Sequence, residues 1–354
     1  MATFPQLQGD LGVLDGYHSA QVDVDVRLNT NESPFPPPPA FRTALAEAVA
    51  TLPLHRYPDR SCHALRADLA RLHSVRPDQV FVANGSNEVL QCLLLAYGGP
   101  GRTAALFEPT YAMHGTIARM TRTTLAEGQR ADDLSLPLAE VRRVLGQASP
   151  AVTFLCSPNN PTGRSEPQEV VEEVLAIAPG LVVVDEAYAQ FAPWSAVALV
   201  ADDVPLVVTR TYSKTWSMAG VRLGYLIGPA EVVAALWDKA ALPYHVDALK
   251  QVAGRLALRF TDEMEDRVAL LVVERERVAA GLARLPVDTW PSDANFLLFR
   301  PRHRDGAEVW AGLVDRSVLV RDCSSWPRLE GCLRVTIGTP AENDAFLAAL
   351  EDVL

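Results

Sequence analysis

The segment 209–225, TRTYSKTWSMAGVRLGY, sets one lysine among small hydroxyl side chains, with an arginine eight positions further on. An apolar run, Pro205-Leu206-Val207-Val208, leads into it. The set suits a particular chemistry. The amine of Lys214 can hold an aldehyde as a Schiff base, while hydroxyls such as Ser213 and the Arg222 guanidinium can grip a phosphate, as a pyridoxal phosphate (PLP) enzyme requires. Taken alone, a Ser-Lys pair is more readily read as a surface lysine at the end of a core strand, and the rest of the chain is what reverses that reading.

Four further stretches carry candidate groups. After the apolar run 79–83, the turn Asn84-Gly85-Ser86-Asn87-Glu88 enters a helix expected over 89–97. Free N–H groups at such a helix start attract anions, although Ser86 or Asn87 could equally be a plain N-cap. Tyr111 follows an apolar strand at 104–107, where an aromatic ring can cover a planar cofactor or simply pack in the core. In Ser157-Pro158-Asn159-Asn160-Pro161-Thr162-Gly163, two prolines bracket two asparagines, stiffening the backbone and presenting Asn160 as a fixed donor. Asp185 ends the run Leu181-Val182-Val183-Val184, with Tyr188 close behind. A carboxylate there is costly unless paired or functional, and one role would be to keep a pyridine nitrogen protonated. An N-cap is the other reading.

These groups need elements to carry them. Through 79–228, apolar runs of strand length alternate with helical patterns, which predicts a mostly parallel sheet with helices on both faces and polar residues at the strands' C-terminal ends. From 231 to 282 the pattern turns helical, and from 287 onward it reads as a smaller α+β unit. The expected organisation is an N-terminal arm at 1–35, a large domain at 36–240 and a small domain at 241–354, with part of the arm packing near the small domain. The block Pro36-Pro37-Pro38-Pro39 forbids helix and ties off the arm.

Composition narrows the class. The chain has 354 residues and a net charge of −11, which argues against a nucleic-acid-binding surface. Five scattered cysteines with no CxxC pair read as buried thiols in a reducing compartment. No HExxH spacing occurs, so no metal is expected. The N-terminus lacks the apolar core of a signal peptide, and no apolar run approaches the roughly 20 residues of a membrane span. A cytoplasmic protein is expected.

In order along the chain stand RLNTNESP, HRYPD, ANGSNEVLQ, GGPGR, PTYAMH, SPNNPTG, VVVDEAY, VTRTYSKTWSMAGVRLGYLI, SDANFLLF and VLVRD…GCLRVTIGT. With these motifs the chain resembles, nearly end to end, the PLP-dependent aminotransferases of fold type I, and within them the histidinol-phosphate aminotransferases. The resemblance implies that Lys214 carries the cofactor and moves the substrate's Cα proton. It implies that Asp185 holds the ring nitrogen, Asn160 and Tyr188 bond the ring's phenolic oxygen, and Tyr111 stacks on the ring. Ser86, Asn87, Thr211, Ser213 and Arg222 would grip the phosphate, joined by Tyr57 from the neighbouring subunit of a homodimer. Arg334 would bind the substrate's α-carboxylate. Arg321, with arm residues near Asn31, would receive the phosphate of histidinol phosphate. The implied reaction converts histidinol phosphate and 2-oxoglutarate to imidazole acetol phosphate and glutamate, in histidine biosynthesis. An aromatic, phenylalanine-type aminotransferase and a PLP-dependent decarboxylase of a phosphorylated amino acid share the same cofactor residues. Trp216, Ser217, Ser33 and the Trp326-Pro327 loop depart from the family pattern, and they bear on the substrate end.

Overall fold

The computed structural model describes residues 20–354 together with Phe4, Pro5, Leu7, Leu11 and Gly12, so much of the expected arm lies outside the described residues. Among the described residues twelve strands form two sheets. They are β1 (Val26–Leu28), β2 (Val80–Ala83), β3 (Thr103–Glu108), β4 (Thr124–Gln129), β5 (Val152–Cys156), β6 (Leu181–Asp185), β7 (Leu206–Thr211), β8 (Gly224–Ile227), β9 (Val287–Thr289), β10 (Phe296–Pro301), β11 (Val318–Asp322) and β12 (Leu333–Thr336).

The larger sheet has the order β2-β8-β7-β6-β5-β3-β4. Its strands β2, β5, β6 and β7 are buried at every position. Such continuous apolar runs suit strands covered by helices on both faces. The sheet is parallel except for β8, which runs against both β7 and β2. The large sheet is thus mostly parallel, as expected, and the reversal at β8 has a local cause. Parallel neighbours need a crossover of a dozen or more residues that travels the length of the sheet, whereas antiparallel neighbours can be joined at one end. The chain from β7 to β8 stays at one end, so the loop 212–223, with Lys214 and Arg222 on it, begins and finishes at the same sheet edge. The register pairs Thr211 with Gly224, and Gly224 with Ala83 at the end of β2. The turn after β2 and the two ends of the loop 212–223 are thereby held side by side.

The smaller sheet has the order β1-β11-β12-β10-β9, with β1 parallel to β11 and the other pairs antiparallel. Part of the expected arm is thus an edge strand of this second sheet. Its core gathers Phe296, Phe299, Val309, Leu333, Val335 and Phe346. The segment expected to open the small domain packs elsewhere. Val246, Ala253, Leu256 and Met264 share a core with Val80, Val82 and Tyr225 of the larger sheet. The change from one packed unit to the other falls within the helix Thr261–Leu282, because Met264 near its start faces the first core and Leu271, Val278 and Leu282 face the second. Among the described residues no helix is long and apolar enough to cross a membrane. All five cysteines are buried thiols.

Candidate active site

A cavity of about 320 Å³ opens where the C-terminal ends of the larger sheet meet the smaller one. It is lined by Asn31, Ser86, Asn87, Tyr111, Asn160, Asp185, Tyr188, Thr211, Ser213, Lys214, Arg222, Arg321 and Arg334. Every candidate named from the sequence is among these except Tyr57, which is 82% exposed and stacks on Tyr244 with ring centroids 4.6 Å apart.

One end of the cavity is an anion cradle. Gly85 precedes the helix Ser86–Tyr97, which begins three residues earlier than expected and brings Ser86 and Asn87 into its first turn. Gly85 has φ +80°, and a Cβ added there would sit 2.7 Å from Arg222 Nη2. Glycine is required on both counts. Across the cradle, Arg222 Nη1 donates to Ser213 Oγ (3.1 Å), and Thr211 Oγ1 donates to the same oxygen (3.0 Å). The free N–H groups of the helix start after β2 meet two hydroxyls and a guanidinium from the end of β7 and the loop 212–223, a donor set that fits a phosphate.

Asp185 stands at the centre, 1% exposed. Thr209 Oγ1 donates to its Oδ1 (3.1 Å), and His114 Nε2 lies 3.0 Å from its Oδ2. A carboxylate only accepts, so His114 Nε2 carries the hydrogen. The His114 ring is itself stacked on Phe154 at 4.7 Å between centroids. His114 and Thr209 were not singled out from the sequence. The available signal was the His of PTYAMH, one turn of helix after Tyr111. Tyr111 donates its hydroxyl to Asn87 Oδ1 (3.1 Å), which ties it to the cradle.

Lys214 Nζ donates to the backbone oxygen of Thr30 (3.0 Å) and lies 5.8 Å from the centre of the Tyr188 ring. Burial, then the Arg334 charge, lowers the amine to about 8; Arg222 adds to the effect and Glu32 opposes it. Tyr188 accepts from Asn31 Nδ2 (2.9 Å), and burial pushes its phenol up to about 12. Asn31 also accepts from Thr336 Oγ1 (3.1 Å) through Oδ1. Its amide is engaged on both sides in orienting Tyr188.

At the other end, Arg334 is 5% exposed. Its Nη1 donates to Asn160 Oδ1 and its Nη2 to the Asn29 backbone oxygen (3.0 Å), while its Nε has no partner among the described residues. Arg321 and Arg334 stand directly opposite each other in the β11–β12 register. Two like charges on facing positions of neighbouring strands destabilise a sheet unless an anion joins them.

A large sheet carrying a lysine loop, an anion cradle and a buried aspartate is the arrangement of a fold type I transferase, and residues 23–350 match the family model of aminotransferase class I and II. The chain is 47% identical over 360 residues to the histidinol-phosphate aminotransferase of Frankia casuarinae, covering 97% of this chain and 89% of the relative. It is 45% identical to that of Mycolicibacterium smegmatis, covering 94% of this chain and 89% of the relative. The crystal structure of histidinol-phosphate aminotransferase from Sinorhizobium meliloti, in complex with pyridoxal-5'-phosphate, superposes with a TM-score of 0.86 at 24% identity, covering 93% of this chain and 90% of that one. The chain belongs to the class I and II aminotransferases and, within them, to the histidinol-phosphate aminotransferases.

Proposed function

We propose that this chain transfers the amino group of L-histidinol phosphate to 2-oxoglutarate, giving imidazole acetol phosphate and L-glutamate in histidine biosynthesis, with PLP as cofactor. The observation that carries the reading is the facing pair Arg321 and Arg334 in the cavity that also holds Lys214. Histidinol phosphate has no carboxylate, so its phosphate is the one anion it can offer. Glutamate offers two carboxylates. A pair of guanidiniums serves both, because each forms bidentate bonds to phosphate or carboxylate. The same pocket then accepts the amino donor and, in the second half-reaction, the dicarboxylate acceptor 2-oxoglutarate, as a ping-pong exchange requires.

The residues fit the cofactor. The cradle of Ser86, Asn87, Thr211, Ser213 and Arg222 matches its phosphate, and Asp185, fixed by Thr209 and His114, matches a protonated ring nitrogen. Asn160 and Tyr188 would bond its phenolic oxygen, and Tyr111 would cover its ring. When bound, the cofactor supplies an electron-poor ring that takes up the electron pair left as the substrate's Cα proton departs. The chain supplies the rest. Lys214 anchors the aldehyde through its amine and, once released, moves the proton from Cα. Arg334 and Arg321 hold the substrate's anionic end so that this C–H bond faces Lys214.

A homodimer, with Tyr57 reaching the partner's phosphate cradle, belongs to the same proposal. Tyr57, Tyr244, Leu54 and Leu242 leave apolar surface in water, which supports a second copy covering them. A cytoplasmic location accords with the five buried thiols.

The test compares amino transfer to 2-oxoglutarate from histidinol phosphate and from phenylalanine, on enzyme whose mass in solution is measured alongside. A dimer with a kcat/KM about 10²-fold higher for histidinol phosphate is expected, since a site built around a polar partner discriminates strongly against analogues lacking it. Equal or faster transfer from phenylalanine would replace this reading with an aromatic aminotransferase.

The lowered Lys214 amine carries its own prediction. An ordinary lysine titrates near about 10.4 and is almost wholly charged at pH 8. With the folded value near 8, half the amine is neutral and nucleophilic there. The rate at which cofactor-free protein captures PLP, followed by visible absorbance, is therefore expected to rise with pH through a midpoint near 8 and then level off. A rate still climbing at pH 10 would show a lysine without this shift.

A further inference from the structure

Trp326 lies on the loop 323–332 between β11 and β12 and lines the cavity. The Arg321 guanidinium sits 5.3 Å from the centre of its indole ring, within reach of a cation–π contact. The far edge of the ring is anchored in the other sheet's territory: Nε1–H donates to the backbone oxygen of Thr110 (2.9 Å), just past the end of β3. Thr110 is itself immobile. It is buried, its N–H donates to Glu108 Oε2 (2.9 Å), and its hydroxyl donates to Asn159 Oδ1 (3.0 Å). Behind the ring, Leu134, Leu298, Leu329 and the thiols of Cys323 and Cys332 form a small apolar cluster. Two residues further along, Arg328 reaches the Arg130 backbone oxygen and the Asp132 carboxylate. The loop is thus fastened to the larger sheet's side at two points, with the indole face turned to Arg321.

We propose that Trp326 is a positioning residue for substrate discrimination, its indole face holding the Arg321 guanidinium toward the anionic end of the substrate. The proposal rests on the functional reading above. Arginine carries several rotatable bonds, and ordering them on binding weakens affinity. A rigid aromatic surface anchored at Thr110 supplies that order in advance. The benefit falls on the substrate anion that meets Arg321, and a substrate without that anion gains nothing from it.

The experiment measures kcat and KM for histidinol phosphate and for histidinol, the same amine without phosphate. It uses wild-type holoenzyme, Trp326→Phe and Trp326→Ala, with thermal melting run in parallel. Trp326→Ala is expected to raise KM for histidinol phosphate about tenfold with kcat within about twofold, and to leave kcat/KM for histidinol unchanged. Trp326→Phe, which keeps an aromatic face and loses the Thr110 bond, is expected within about threefold of wild type. If Trp326→Ala does not fold, Trp326→Leu supplies the ring-free side chain. Equal losses on both amines, an unchanged KM in the ring-free variant, or a Trp326→Phe effect as large as that of Trp326→Ala would overturn the proposal alone. Wild-type enzyme that treats the two amines alike would overturn the functional reading and this proposal with it.

Discussion

Replacing Lys214 with alanine is expected to lower kcat by about 10⁴-fold, the upper range for loss of a positioned proton-transfer group. On the proposed reading two functions disappear together in this variant: the amine that anchors the aldehyde and the base that moves the Cα proton. Neither has a substitute nearby. The Tyr188 phenol is held protonated by burial, and the amides of Asn31 and Asn160 are not bases at neutral pH. The cradle around Ser86, Ser213 and Arg222 is untouched, because the Lys214 amine bonds to Thr30 and takes no part in the cradle's hydrogen bonds. The variant should therefore still bind PLP, without the covalent link. Absorbance titration with PLP and steady-state transamination read the two effects separately. Turnover within tenfold of wild type would remove Lys214 from the reaction, whatever the binding result.

Replacing Asp185 with asparagine is expected to cut kcat/KM by between about 10² and 10³-fold, because it removes one charge from a buried pair without changing its shape. Geometry makes this substitution more damaging than its size suggests. Both oxygens of the carboxylate accept, one from Thr209 and the other from His114. An asparagine has one oxygen and one NH2, so either the Thr209 hydroxyl or His114 would have to turn from donor to acceptor. The amide would bring no negative charge to a ring nitrogen. Affinity for PLP should fall along with the rate. Circular dichroism and melting temperature check that the fold survives. A variant retaining more than about a tenth of wild-type kcat/KM would mean that the ring's charge is set elsewhere.

Much of this architecture was legible in the residues themselves. The strands β2, β5, β6 and β7 are uninterrupted apolar runs, and burial on both faces of a parallel sheet admits little else. By contrast β4, with the sequence TLAEGQ, sits at the edge of its sheet and is mostly solvent-facing, so it carries no apolar signature and went unread. The reversed β8 was equally invisible, since a four-residue apolar run reads the same in either direction. The segment 246–264 has an amphipathic pattern that says one face is buried without saying against what.

The site divides along the same line. Lys214, Ser213, Arg222 and Asn160 stand in short turns rich in glycine, proline and hydroxyl residues, and Asp185 ends an apolar strand, so the sequence offered them as candidates and the resemblance of the ordered motifs to the aminotransferases singled out the cofactor chemistry. The tertiary structure decided which groups meet across long stretches of chain. His114 reaches Asp185 over 71 positions, and Trp326 reaches Thr110 over 216. Arg321 and Arg334 face each other only because the β11–β12 register sets them opposite. Backbone chemistry within a turn depends on a few adjacent residues, so sequence alone determines it. Register and the docking of one sheet on another depend on the whole core at once, so the pocket that reads the substrate exists only in the folded chain.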